Sequence, residues 1–333
     1  MVSRRRFTAV AGAMAAGRSL LALCIPLLML SVQPGHAQTA RTIKVIVPGT
    51  PGASNDVLAR VLARQIERAE GATLVVENRP GAGNVIGSEA AARAAPDGNT
   101  LLINTPPFVI DPYLRKLPYD PFTAFEPICH LANSPIIFVV NKTSPYRTLA
   151  DLLAAARARP RTVTVGGVGP GTVGHIAVES LKHMAKVDVI FVAYPGNPPA
   201  ITALLGGHID AVITGYSVAA ELVKSGELRA LATTTPARIE PLPELPTVAE
   251  TDYRDYGFEF WMGVVAPAHT PRETISLLSG WFTAALRQPE TKVNLASQGL
   301  YPSAVCGADF GAFLRTQYDA YGRIIRDINI KPE

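Results

Sequence analysis

The sequence predicts an α/β protein of two domains built around mostly parallel sheets. Short β-branched runs alternate with helical patterns from Thr42 onward, the order that packs helices onto parallel strands. Glycine- and proline-rich turns fall at the ends of several runs, where such sheets bind ligands. The 333 residues exceed a single core of about 150 residues. With 48% hydrophobic and 17% charged residues, the chain has material for packed cores and little for disorder.

Residues 1–37 read as a secretory signal, to be set aside before the fold. Arg4, Arg5 and Arg6 form a cationic start, the apolar run "LLALCIPLLML" (20–30) follows, and Gly35 and Ala37 occupy the −3 and −1 positions of a cleavage after Ala37. Arg18 interrupts the apolar region, leaving too short a run for a permanent anchor. "SRRRFT" resembles a twin-arginine export signal, and the choice between that route and the general one stays open. "LALC" resembles a lipoprotein box, but Leu23 is too large for it. The segment carries four of the 31 bases and no acid, so 27 bases remain against 27 acids. A near-neutral mature chain has no nucleic-acid footprint.

The elements follow in order. "TIKVIV" (42–47) is a strand, and "NDVLARVLARQIERA" (55–69) a helix with Leu58, Val61, Leu62 and Ile66 on one face. "TLVVEN" (73–78) is a strand and "NVIGSEAAARAA" a helix closed by the turn Pro96–Gly98. Strands "TLLIN" (100–104) and "IIFVVN" (136–141) come next. "TLADLLAAARARP" opens with Thr148 and Asp151 in capping-box spacing and stops before Pro160. Strands "TVTVG", "VIFVAY" and "DAVIT" are separated by helices near 175–185 and 198–205. "LRALATT" (228–234) and "GVVAP" (263–267) are further strands, and the C-terminal third ends in two helices. Cys24 leaves with the signal. Cys129 and Cys306 are read as unpaired, half-buried thiols in preference to a disulfide, because sequence cannot place their Cα atoms. No C-x-x-C or metal-ligand spacing exists, and no cofactor or metal is expected.

Four loops at strand ends are rich in Gly, Pro, Ser, Thr and Asn: "PGTPGASND" (48–56), "NTPP" (104–107), "GGVGPGTVGH" (166–175) and "TGYS" (214–217). Accessible backbone N–H groups at helix starts suit such loops to anions. Gly169, Gly171 and Gly174 also form a G-x-G-x-x-G, the dinucleotide fingerprint. That reading needs an acid at the end of the next strand, and "VIFVAY" ends without one. An anion cup fits better. Hydrolase, zinc-protease and P-loop signatures are missing, so no nucleophile can be nominated.

Through these loops the chain resembles the tripartite tricarboxylate transporter substrate-binding proteins, the Bug receptors of bacterial periplasms. The stretches that carry the resemblance are "VIVPGTPGASNDVLAR", "VVENRPGAGNVIGSEAAARAAPDGNTLL", "LPYDPFTAFEPI", "GTVGHIAVE", "ALLGGHIDAV", "GELRALATTT", "LPELPTVAE" and "APAHTP". It implies a type II-like venus flytrap, with 38–142 and 229–333 as one domain, 143–228 as the other, and the ligand cleft between them. It further implies a monomeric periplasmic receptor, not an enzyme, that delivers a small carboxylate to integral-membrane transporter subunits. Carried over by position, the ligand-binding residues are Pro48, Gly49, Ser54, Asn55, Asp56, Asn104, Thr105, Gly169, Gly171, Thr172, His175, Tyr194, Gly196 and Thr214. A periplasmic sensor feeding a signalling protein is the alternative, and an exported α/β enzyme a more remote one.

Three departures from the family pattern bear on the ligand. Gly49 stands where an aromatic is common and argues for a wider cleft. Gly167 stands where a serine is common. Thr214 stands where an aspartate is common, which argues against an amino-acid ligand. His175 has Glu179 one turn away, the spacing of a base and its partner, but an imidazole at a helix start is better placed to orient the loop than to carry charge. Asp56 would repel a carboxylate and is read as shaping its loop. Trp261 and Tyr194 are candidates for stacking on a ligand, with ordinary packing as the alternative.

Overall fold

The computed structural model describes residues 41–330. The expected signal segment lies outside these residues, and among the described residues no helix is long and apolar enough to cross a membrane. The elements run β1 (Thr42–Val47), α1 (Ser54–Glu70), β2 (Thr73–Asn78), a 3-10 turn (Ala82–Asn84), α2 (Val85–Ala92), β3 (Thr100–Asn104), α3 (Pro107–Leu114), β4 (Phe125–Ser134) and β5 (Ile136–Asn141). They continue with α4 (Leu149–Ala158), β6 (Thr164–Val168), α5 (Val173–Ala185), β7 (Ile190–Tyr194), α6 (Asn197–Leu205), β8 (Ala211–Gly215), α7 (Tyr216–Lys224) and β9 (Leu228–Thr233). The last are β10 (Phe260–Pro267), α8 (Arg272–Arg287), α9 (Pro289–Ser297), β11 (Tyr301–Cys306) and α10 (Ala308–Asp327).

Two sheets result, one ordered β11-β4-β10-β3-β1-β2 and the other β7-β6-β8-β5-β9. Both are mixed, which corrects the expectation of mostly parallel sheets. β1 pairs in parallel with β2 and β3, but β10 runs antiparallel to β3 and β4, and β5 antiparallel to β8 and β9. The cause is the chain's route. It leaves the first sheet from β4, enters the second as β5, and returns as β10, so the strands beside the passages run against their neighbours. The expected boundaries at 142/143 and 228/229 fall at the far ends of β5 and β9, strands that both belong to the second sheet. The sheets part at Pro135 and again between Thr233 and Phe260.

Local chemistry sets several helix ends. In α1 the residues Leu58, Val61, Leu62 and Ile66 are buried, and Gly71 ends the helix at φ 67°, donating its N–H to the Glu67 carbonyl. Thr148 and Asp151 close the capping box at the start of α4. The strands β4 and β11 escaped the pattern because each contains a proline, Pro127 and Pro302, and their ladders carry register shifts. α3 carries Pro107 at its start and Pro112 inside, which masks its helical period. Cys129 and Cys306 face each other across β4 and β11 and form a disulfide, a correction to the expected free thiols. Register, invisible in sequence, brought them together.

Candidate functional site

On the first sheet's side, the loop after β1 is held by a carboxylate. Asp56, buried in the first turn of α1, accepts the Gly52 N–H at 2.9 Å, Asn78 Nδ2 at 3.0 Å and Arg60 Nε at 3.0 Å. Burial alone would raise this carboxyl. The bonds from Arg60, Gly52 and Asn78 outweigh it and hold the group below its ordinary value. Asn78 Nδ2 also donates to the Gly49 carbonyl at 3.0 Å. Asp56 thus spends its oxygens within its own loop.

Pro48 and Asn55 are buried beside it, and Ser54, half-buried, opens α1. The Asn55 carboxamide lies over Gly49, where a Cβ would come 2.6 Å from Asn55 Oδ1. The glycine therefore makes room for Asn55. Asn104 ends β3 and Thr105 follows it, both buried. Thr105 Oγ1 accepts Asn84 Nδ2 at 3.0 Å, tying the "NRPGAGN" turn to this strand end. The Asn104 carboxamide lies beside Gly263 of β10, and neither of its polar atoms has a hydrogen-bond partner.

On the second sheet's side, the loop after β6 folds on its own helix start. Thr172 caps α5, its hydroxyl accepting the His175 N–H at 3.3 Å and lying 2.9 Å from the Val168 carbonyl. His175 Nδ1 accepts the Gly171 N–H at 3.4 Å, and its ring meets Phe191 edge-on at 4.8 Å. Burial lowers the His175 pKa, and Glu179 only partly offsets this. A neutral imidazole that accepts from the loop orients it, as the sequence suggested. Gly167 lies under Phe191, where a Cβ would meet the ring at 2.9 Å, so the serine common at this place has no room.

Gly169 donates its N–H to the Tyr194 carbonyl at 3.2 Å. The half-buried Tyr194 ring packs over Gly166 at the edge of the core that holds α6, and its backbone carbonyl meets the loop. Gly196 precedes α6 in an extended conformation. Thr214, near the end of β8, is buried, its hydroxyl 3.5 Å from the Gly215 carbonyl. Trp261 is buried in the core against Phe313 at 5.6 Å, which makes it packing and not a stacking platform.

The two loop sets meet at α3. Gly171, at φ 76°, faces Leu114 and the Arg115 guanidinium, and Gly83 of the first side's turn faces Arg115 and Asp111. Arg115 pairs with Asp111 at 3.3 Å. This ion pair between the two glycine turns was missed in the sequence, because α3 itself was missed. Asn78 and Asn84 were missed too, although both flank the glycine run that was read as a mere turn. An open depression of about 430 Å³ lies outside the α3–β4 connection, lined by Pro112, Arg115, Lys116 and Tyr119 among others. None of the loop residues above lines it. Among the described residues no His, Cys, Asp and Glu cluster suits a metal.

Helix starts, glycine turns and buried amides thus stand at strand ends of both sheets, and the glycine turns of the two sides come together at Arg115; such features suit an anion. The profile of the Tripartite tricarboxylate transporter family receptors matches residues 58–330. BugT of Bordetella pertussis is 32% identical over 295 residues, covering 88% of this chain and 90% of its own. An adipate-bound protein of R. palustris shares 31% identity and superposes with a TM-score of 0.81, over 89% of this chain and 100% of that one. The periplasmic binding protein BugD shares 27% identity with a TM-score of 0.78, over 88% and 99%. The family so matched is one of receptors and not of enzymes. The chain belongs to the tripartite tricarboxylate transporter receptor family.

Proposed function

We propose that this chain is a periplasmic receptor that captures a small carboxylate between its two sheets by closure and delivers it to a tripartite tricarboxylate-type membrane transporter. The observation that carries the reading is the meeting of Gly171 with Leu114 and Arg115, which brings the second sheet's anion cup against the first sheet's side. The ligand carboxylate lies against the N–H groups of the loops 48–56 and 169–175, with Asn55, Asn104, Thr105 and Thr214 as polar walls. Hinge closure is favoured because only the closed form brings both loop sets to the ligand. A leader ending near Ala37 supports export, and the working form is a monomer.

Thr214 in place of an acid makes a simple carboxylate the better ligand. Calorimetric titration with adipate and with 2-aminoadipate tests both the class and the preference. Adipate is expected to bind more tightly, and Thr214→Asp to shift preference toward 2-aminoadipate through its ammonium group. Failure of adipate and of other small carboxylates to bind would sink the receptor reading. Intact-mass measurement of the exported protein checks that it starts at Gln38.

A further inference from the structure

The chain passes between the sheets twice, once at Ser134–Ile136 and once through the segment that rejoins the first sheet at Phe260. The two passages lie side by side, with Phe260 paired to Ser134. Thr234 sits between them with no exposure. Its N–H donates to the Ile136 carbonyl at 2.9 Å, and its carbonyl accepts the Phe258 N–H at 2.8 Å. Its hydroxyl lies 2.7 Å from the Phe258 carbonyl and 3.1 Å from the Ile136 carbonyl. One side chain therefore reaches a carbonyl on each passage.

We propose that Thr234 is a positioning residue for ligand capture: tied to the first passage through its N–H, it holds the far end of the second passage with its hydroxyl, so that closure turns about one fixed point. The proposal rests on the receptor reading above. Backbone bonds at Thr234 survive any non-proline substitution, but the hydroxyl is the part that donates to the Phe258 carbonyl, its shorter contact at 2.7 Å. At this depth no water takes over the bond when it is removed, and the Phe258 carbonyl loses that donor. The second passage then shifts against the first, and the closed geometry is held less sharply.

Neighbouring Thr233 provides the contrast. Its hydroxyl bonds the Ile136 carbonyl at 3.2 Å and the Thr235 hydroxyl at 2.8 Å, so it does not reach Phe258. Thr233→Val removes an equally buried hydroxyl while leaving the Thr234–Phe258 bond in place.

The test uses the exported mature chain with spin labels at Val293→Cys on α9 and Leu205→Cys on α6, both exposed and on opposite sheets. The native cysteines are paired and stay unlabelled. Distance distributions between the labels are recorded with and without adipate for Thr234→Val, Thr234→Ser and Thr233→Val, with circular dichroism for folding. Thr234→Val is expected to broaden the ligand-free distribution and to speed adipate release about tenfold, the scale of one lost hydrogen bond. Thr234→Ser keeps the hydroxyl and restores wild-type behaviour, and Thr233→Val leaves the distribution unchanged. If Thr234→Val does not fold, Thr234→Ala is measured in its place. An unchanged distribution in the variant, even with a lower Tm, overturns the proposal, because the hydroxyl then contributes stability alone. If the wild type binds no carboxylate, the receptor reading fails, while the ligand-free distances still decide the coupling.

Discussion

Gly171 is pressed against Leu114, so that a Cβ on the glycine would stand 3.1 Å from Leu114 Cδ1. It also holds φ at 76°, a conformation that costs an L-residue about 1–2 kcal/mol. Gly171→Val adds crowding at the meeting point of the two sheets to that strain. The expected outcome is at least a tenfold loss of adipate affinity with a fold still recognisable by circular dichroism. Normal binding by this variant would remove the loop from the ligand site. NADH is expected to bind neither form.

His175 holds the same loop from the helix side. His175→Ala leaves the Gly171 N–H without its acceptor and should weaken binding less than Gly171→Val, by roughly 1–3 kcal/mol. Its pH dependence has a definite sign. Burial lowers the folded pKa below 6.5, so the unfolded chain takes up the proton first, and stability present above 6.5 is lost as pH falls through the interval beneath it. His130, also lowered by burial, acts in the same direction. Melting curves between pH 7.5 and 5 should therefore fall less steeply for His175→Ala than for wild type, without becoming flat. An unaltered slope would contradict the burial of this imidazole.

Glu259 carries the opposite sign. It lies on the second passage between the sheets, and burial raises its pKa above the ordinary 4.5. Stability is then full below that ordinary value and is lost as pH rises through the raised folded value. Glu259→Gln should raise Tm by a few degrees at pH 8 and have little effect at pH 4. Thermal melts at the two pH values check this, and a lower Tm at pH 8 would show that the carboxylate has a stabilising partner.

The disulfide between Cys129 and Cys306 joins residues 177 positions apart, linking β4 to β11. Closing so long a loop restricts the unfolded chain, and its loss should cost roughly 2–5 kcal/mol. A reductant, or the double variant Cys129→Ala and Cys306→Ala, is expected to lower Tm while adipate affinity stays within twofold, since the bond lies outside the loops of the site. Thiol titration of the unfolded, unreduced protein should find no free cysteine in the mature chain.

Much of the fold is legible without coordinates, because its signals are local. The apolar face of α1, the capping box at Thr148 and Asp151, and the glycine turns at strand ends are fixed by residues a few positions apart. The four loops were identified by the same means. Elements broken by proline were lost, among them α3 with Asp111 and Arg115, since Pro112 masks the period that would have announced it.

Sequence by itself determined the α/β class, the order of most elements, the absence of hydrolase and P-loop signatures, and the glycine loops that suit an anion. Tertiary structure alone decided three further matters. It made both sheets mixed, because the chain's two passages reverse the strands beside them. It paired Cys129 with Cys306, because cross-strand register joins residues 177 apart. It also set Gly171 against Leu114 and Thr234 between Ile136 and Phe258. Such contacts depend on how whole elements pack, and no periodicity within a short window encodes them.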